Sequence, residues 1–91
     1  MATQVNIVDG PSKFDLMLAL FENRTRPPKT LYFRCQRDDK MKTFLLSVNI
    51  TSLTREDASA ESWKFEGCFT STQRPVSGQF RTDTRKGYVL I

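Results

Sequence analysis

Histidine is absent from the 91-residue sequence, and with it the commonest general base of enzymes. Serine and cysteine nucleophiles usually need a neighbouring histidine, and most zinc sites include one. The two cysteines, Cys35 and Cys68, are too few to close a zinc shell or to form a disulfide framework. We therefore expect a protein that is not an enzyme and that takes neither a metal nor a cofactor.

Glycine is also scarce, and the four glycines stand singly in the sequence. Phosphate-binding loops need several glycines at close, fixed spacing, so neither a P-loop nor a dinucleotide-binding loop is predicted. Two pairs of neighbouring carboxylates, Asp38-Asp39 and Glu56-Asp57, are expected to be solvated charge rather than a catalytic pair. No catalytic residue is predicted.

Long hydrophobic runs are missing, since no apolar stretch approaches the roughly 20 residues that span a bilayer. The amino terminus has neither the basic start nor the apolar stretch of a signal peptide. We expect no membrane association and a cytoplasmic location. The 14 basic residues outnumber the 10 acidic ones, and the net charge of +4 permits binding to nucleic acid or to an acidic partner without requiring either.

The clearest positive signal is a β-strand pattern in Lys42–Thr51. Its apolar residues Phe44, Leu46, Val48 and Ile50 fall on every second position, which gives the strand one dry side and one wet side. Leu45 is the exception, because it is apolar and belongs to the wet side.

A helix is predicted from Ser12 to about Arg24, after a short first strand. Ser12 and Asp15 have the spacing of a capping box, which marks a helix start. One apolar stripe of this helix is expected to face the sheet; it consists of Phe14, Met17, Leu18 and Phe21.

Leu16 and Leu20 widen the apolar part of the helix to an arc of roughly 200°, more than a surface helix needs. We expect these two leucines to be covered from within the chain. The alternative is that they contact a second subunit or line a ligand pocket.

The remaining strands complete the predicted fold. They are Thr30–Arg37, which forms a hairpin with Lys42–Thr51, then Trp63–Thr70, Gln79–Thr82 and Tyr88–Ile91. Residues Ser52–Ser62 are predicted to be either helix or loop. Gly67 is predicted either to mark a bulge or to make space for a helix side chain. We predict a single α+β domain over residues 1–91, in which one N-terminal helix packs on one face of a mainly antiparallel sheet. The sheet has about five to six strands in the order β-α-β-β-β-β-β.

The outer face of this sheet suggests a function. An exposed aromatic ring among basic side chains is how RNA-recognition sheets stack bases and hold phosphates. We therefore predict a small non-catalytic binding module, for single-stranded nucleic acid. Its predicted site combines the sheet face with the basic segment after the helix and consists of Arg24, Arg26, Lys29, Tyr32, Arg34 and Arg81. The competing interpretation is an ordinary solvated sheet face.

The alternative function is protein–protein interaction or assembly as a homodimer. The surplus leucines of the helix and an exposed terminal strand would supply the contact. The predicted interface residues are Leu16, Leu20, Tyr88 and Leu90.

Overall fold

A computed structural model describes residues 3–22, 30–37, 41–55 and 61–91, and for residues 19–22 it describes the backbone alone. Within these ranges, six strands and one helix follow one another. They are β1 (Gln4–Asp9), α1 (Lys13–Glu22), β2 (Thr30–Gln36), β3 (Thr43–Arg55), β4 (Ser62–Phe69), β5 (Pro75–Arg81) and β6 (Gly87–Leu90).

The six strands form a closed barrel in which all neighbouring strands are antiparallel. Each strand pairs with the next one along the chain, and β6 returns to β1, where Val5 lies opposite Val89. Thr3 and Ile91 extend this seam by exchanging two backbone hydrogen bonds of 2.9 Å. Within the described residues every strand therefore has two neighbours.

The predicted α+β domain, with a helix on one face of a sheet, is wrong, because the sheet closes on itself. The order of the elements, their antiparallel pairing and the hairpin of β2 and β3 agree with the prediction. An alternating strand has one apolar side in an open sheet and in a barrel alike. The pairing of β1 with β6 joins opposite ends of the chain and leaves no local signal in the sequence.

Three phenylalanine rings fill the centre of the barrel. The rings of Phe33 and Phe65 stack with their centroids 4.8 Å apart, and Phe80 meets Phe33 edge to face at 5.5 Å. Each such aromatic pair adds about 0.5–1.5 kcal/mol beyond the burial of its area. A barrel of this size is filled by its own side chains, so its interior is a packed core and the binding surfaces must lie outside it.

Helix α1 turns the opposite side to the core from the one predicted. Leu16 is 1% exposed and belongs to the core, whereas Phe14, Met17 and Leu18 are 74%, 59% and 50% exposed. Leu16 lies beside Trp63 and Thr82, at the barrel end where β4 begins and β5 has just ended. A helix at the end of a barrel buries one narrow line of side chains, whereas a helix lying along a sheet would bury a broad stripe.

The predicted helix start is confirmed. The amide of Asp15 donates to Ser12 Oγ at 3.1 Å, and the amide of Ser12 donates to Asp15 Oδ2 at 3.4 Å. These reciprocal bonds are a capping box. The predicted helix end at Arg24 lies outside the described residues.

Strand β3 is longer than the predicted Lys42–Thr51, because it continues to Arg55. Its register against β4 shifts between Ile50 and Ser52, which marks a β-bulge. The extra residue inverts the alternation, so the apolar pattern breaks at that point although the strand goes on. The open stretch Ser52–Ser62 is thus strand up to Arg55, and residues 56–60 lie outside the described part.

Gly67 of β4 lies opposite Ile50 at this bulge. A Cβ atom at Gly67 would overlap the backbone carbonyl oxygen of Asn49. The space at Gly67 is therefore taken by the backbone of β3 and not by a helix side chain, so the bulge is the correct one of the two predicted roles.

Candidate functional site

Tyr32 and Arg34, two of the predicted binding residues, meet in a cleft of about 370 Å³ on the outside of the barrel. The cleft, called here the Tyr32 cleft, lies where β1 ends and the chain turns into α1, beside β2 and β3. Its described lining residues are Asp9, Gly10, Pro11, Asp15, Thr30, Leu31, Tyr32, Arg34, Leu45 and Arg85.

The outward side of the β2–β3 hairpin forms one wall of the Tyr32 cleft. Tyr32 is 59% exposed, and Arg34 on the same side of β2 lies directly opposite Leu45 of β3. Leu45 is therefore a diagonal neighbour of the Tyr32 ring, about 7–8 Å away between backbones. Leu45, the exception in the β3 pattern, thus adds an apolar side chain beside the Tyr32 ring and the Arg34 guanidinium group.

Arg85 forms the opposite wall and is a site residue that the sequence did not indicate. Its φ of 62° lies in the left-handed region, which costs a non-glycine residue about 1–3 kcal/mol. Its contacts with the β1–α1 junction oppose this cost. Arg85 Nε donates to the Gly10 carbonyl at 2.9 Å, Gly10 N donates to the Arg85 carbonyl at 2.7 Å, and Arg85 Nη2 lies 3.1 Å from Asp9 Oδ1.

The charges of the Tyr32 cleft nearly balance. Arg34 and Arg85 face Asp9 and Asp15. Asp9 is held by Arg85, and Asp15 accepts the hydrogen bond from the Ser12 amide. Binding at this cleft would therefore depend on stacking and directed hydrogen bonds more than on net charge.

Arg81 lies on the other side of the barrel from Tyr32 and Arg34. Its strand, β5, is three strands away from β2 in either direction around the barrel. Arg81 Nε and Nη2 donate to the two carboxylate oxygens of Asp83 at 2.9 and 2.8 Å, and this bond from Arg81 lowers the pKa of Asp83. The predicted residues Arg24, Arg26 and Lys29 lie outside the described residues.

The predicted interface residues whose side chains are described, Leu16, Tyr88 and Leu90, do not form one surface. Leu16 is buried in the core, as expected of cover from within the chain, and the side chain of Leu20 is not among those described. Tyr88 and Leu90 are half-buried on the outward side of β6. Because β6 pairs with β5 and with β1, the exposed terminal edge that motivated this prediction does not exist.

The outward side of α1 carries an apolar surface that sequence reasoning assigned to the core. It consists of Phe14, Met17 and Leu18, which lie at positions i, i+3 and i+4 of the helix and therefore on one side. We call it the apolar helix face. The apolar periodicity was visible in the sequence, but it does not say which apolar side a short helix buries.

A second outer cleft, of about 410 Å³, surrounds Tyr88. Tyr88 Oη donates to Gln79 Oε1 at 3.2 Å, and Gln79 Nε2 donates to the buried Ser62 Oγ at 2.7 Å. We call it the Tyr88 cleft. Its described lining residues are Ser62, Gln79, Phe80, Arg81, Thr84, Lys86, Gly87 and Tyr88.

A polar cluster attaches α1 to the barrel end. Thr82 Oγ1 donates to Glu61 Oε2 at 2.6 Å, and Lys13 Nζ lies 3.4 Å from Glu61 Oε1. The hydrogen bond from Thr82 and then the charge of Lys13 lower the pKa of Glu61. Because Lys13 of the helix and Thr82 of the barrel both bind Glu61, the cluster holds the helix to the barrel end.

In the described ranges, no group of three or more cysteine, aspartate or glutamate side chains is arranged to hold a metal ion. The same ranges contain no helix with the length and apolar character needed to cross a membrane. The absence of a metal, the absence of a cofactor and the cytoplasmic location stay predictions.

Over the described residues, the fold and these surfaces define a small, closed, all-antiparallel β-barrel with one end helix and several outer clefts, which include the Tyr32 cleft and the Tyr88 cleft. No protein-family model matches the chain, and comparisons with curated proteins and with solved structures give no match.

Proposed function

We propose that this protein is a non-catalytic binding module for single-stranded nucleic acid and that the Tyr32 cleft is its primary site. The observation that carries this proposal is the exposed Tyr32 ring beside the guanidinium group of Arg34 on the outer side of the β2–β3 hairpin. An unpaired base can stack on an exposed ring, and a guanidinium group binds phosphate through two parallel hydrogen bonds.

The barrel gives this site a rigid base. Tyr32 and Arg34 stand on a strand with partners on both sides, and Arg85 fixes the opposite wall through Gly10. A pre-organised surface loses less conformational entropy on binding than a mobile one. The balanced charge of the cleft predicts moderate affinity with stacking as its main source.

Fluorescence anisotropy with labelled single-stranded DNA and RNA at two salt concentrations tests this function. We expect a dissociation constant tighter than about 10⁻⁴ M that weakens as salt is raised. Tyr32→Ala should weaken binding by about tenfold or more, because a stacked base contributes about 1–3 kcal/mol, whereas Tyr32→Phe keeps the ring and should bind like wild type. Weaker or salt-independent binding of wild type contradicts the proposal.

A second candidate function is association of two copies through the apolar helix face. Side chains at i, i+3 and i+4 form the ridge by which helices pack against each other, so two copies of α1 can cover one another. Phe14, Met17 and Leu18 would bury roughly 350 Å² per subunit, which is below the usual 800 Å² and predicts a weak dimer.

Sedimentation equilibrium at high micromolar concentration tests the dimer. Leu18→Ser should shift the protein towards monomer. Met41→Ser is the matched control, because Met41 is 92% exposed and lies outside the helix. A wild-type protein that stays monomeric, or equal effects of the two substitutions, would exclude association through this face.

A further inference from the structure

Tyr88 and the Tyr32 cleft lie on one continuous part of the outer surface of the barrel. We call this surface, which runs from Tyr32 across Asn6 to Tyr88, the outer belt. Gln36 of β2 lies opposite Asn6 of β1, and Asn6 lies opposite Tyr88 of β6. On β2, Tyr32 and Arg34 precede Gln36 by four and two residues, so all three side chains lie on the same outward side. With strands about 4.8 Å apart and a rise of about 3.3 Å per residue, Tyr32 and Tyr88 are about 16 Å apart over the surface.

The Tyr88 ring is fixed in orientation. Its hydroxyl donates to Gln79, and Gln79 in turn donates to the buried Ser62. These two bonds hold the far end of the ring against β5 and β4. Tyr88 also borders a smaller groove of about 260 Å³, so the ring stands between two depressions. A fixed ring between two grooves is a suitable stacking surface for a base.

The Tyr88 cleft differs from the Tyr32 cleft in charge. Arg81 and Lys86 line it, and no carboxylate is among its described lining residues. Lys64 lies opposite Gln79 on the outer side of β4, where Glu66 in the same groove offsets its charge, so Lys86 carries most of the basic character of this side. Asp83 offsets part of this charge by pairing with Arg81. The belt thus combines a nearly neutral cleft at one end with a basic cleft at the other.

The β5–β6 turn connects the two clefts. Arg85 lines the Tyr32 cleft, whereas its neighbours Thr84 and Lys86 line the Tyr88 cleft. A strand of nucleic acid that leaves the Tyr32 ring can therefore cross β1 beside this turn and reach Tyr88 without leaving the surface. The strand would gain a second stacking contact and its main phosphate contacts there.

We propose that the Tyr88 cleft is the second half of an extended binding path, in which one nucleic-acid strand stacks on Tyr32 and on Tyr88 and passes Lys86 between them. This inference rests on the proposed nucleic-acid function and adds to it a footprint of several nucleotides. A ligand confined to the Tyr32 cleft would not reach the basic side of the barrel.

Oligonucleotide length tests the path. Anisotropy is measured with labelled single strands of about three and about ten nucleotides. The longer strand should bind wild type at least about tenfold more tightly than the shorter one, because it alone reaches both rings. Tyr88→Leu should weaken binding of the longer strand by about tenfold and leave the shorter strand unaffected, whereas Tyr88→Phe should retain the binding of both.

Charge variants provide a test that does not depend on the half-buried ring. For the longer strand, Lys86→Gln should reduce the slope of the logarithm of the binding constant against the logarithm of salt concentration. The reduction should correspond to the loss of about one phosphate contact. Arg74→Gln is the matched control, because it also removes one exposed positive charge but lies at the opposite end of β5. Circular dichroism establishes that each variant is folded.

The outcomes separate the path from the proposed function. Equal binding of short and long strands, with no effect of Tyr88→Leu or Lys86→Gln, overturns the path and leaves the Tyr32 site in place. Equal effects of Lys86→Gln and Arg74→Gln also overturn it, because the contribution of Lys86 would then be general charge. No binding of either strand overturns the proposed function and the path together.

Discussion

Phenylalanine occupies opposite environments inside the barrel and on the outer side of the helix. Phe33, Phe65 and Phe80 are enclosed by one another and by the six strands, whereas Phe14 projects into solvent from α1. The interior rings lose their contact with water on folding. Phe14 keeps most of that contact, so it adds little to the free energy of folding.

The difference shows that residue type alone does not assign an apolar side chain to the core. A side chain inside the barrel is enclosed by the two neighbouring strands and by the aromatic rings across the centre. The apolar helix face has no such neighbours among the described residues, and the proposed association of two copies would cover its three large side chains. Paired substitutions on the two sides test this distinction.

The largest contrast is expected between Phe80→Ala and Phe14→Ala. Removing the Phe80 ring leaves a cavity against Phe33 and Phe65 and should lower the free energy of unfolding by about 3–5 kcal/mol. Phe14→Ala should change it by less than about 0.5 kcal/mol. Urea unfolding measures both. A loss at Phe14 as large as that at Phe80 would mean that the helix packs differently.

A second contrast lies within the helix itself. Leu16→Ala should lower the free energy of unfolding by about 2–4 kcal/mol, because Leu16 is the described helix side chain that lies in the barrel core. Leu18→Ala has the same chemistry and should have almost no effect, since alanine also favours the helix. Thermal unfolding followed by circular dichroism compares them. Equal shifts would contradict the orientation of α1.

The two cysteines provide a third contrast, between the interior and the barrel wall. Cys35 is fully buried, and desolvation raises the pKa of its thiol from 9.0 to about 11, whereas Cys68 is half-buried. A thiol reagent should therefore modify Cys68 in the folded protein and Cys35 only on unfolding. Fast modification of Cys35 under native conditions would contradict its position.

The raised pKa of Cys35 also predicts a pH dependence. Since the folded protein holds this proton more tightly than the unfolded chain, its contribution to stability is complete below pH 9 and is lost as the pH rises towards 11. The loss should reach about 2 kcal/mol. Urea unfolding of wild type and Cys35→Ala at several pH values isolates this contribution, because the two proteins differ only in the Cys35 thiol. Parallel curves for the two proteins would contradict it.

The smallest expected effect concerns the cap of the helix. Ser12→Ala removes the bond to the Asp15 amide and should lower the free energy of unfolding by about 1 kcal/mol. Ser71→Ala, in the exposed turn after β4, is the matched control and should have no effect. A cap effect larger than that of Leu16→Ala would show that local bonds, and not the core contact, hold the helix to the barrel.

Features fixed by adjacent residues could be predicted from the sequence. The capping box depends on Ser12 and Asp15, and the β2–β3 hairpin on two alternating stretches with a short connection. Closure of the barrel could not be predicted, because Val5 and Val89 are at opposite ends of the chain. The end of β3 was missed because the bulge after Ile50 inverts its pattern.

The candidate site shows the same limit. Tyr32 and Arg34 were predictable as neighbours on one side of a strand, since their spacing sets their direction. Arg85 was not, because its partners Asp9 and Gly10 come from the other end of the chain. The buried side of α1 was predicted wrongly because apolar residues occupy most of the helix circumference. Which of them is buried depends on the contact with the barrel end, where Leu16 packs.

The seam between β1 and β6 also sets the order in which the protein can fold during translation. β1 leaves the ribosome before the other described strands of the barrel, whereas its partner β6 leaves after all of them. A nascent chain that lacks β6 has open edges at β1 and at β5, and open edges can pair with other chains. Closing this long loop should make folding slow, in the millisecond-to-second range of proteins dominated by distant strand pairs.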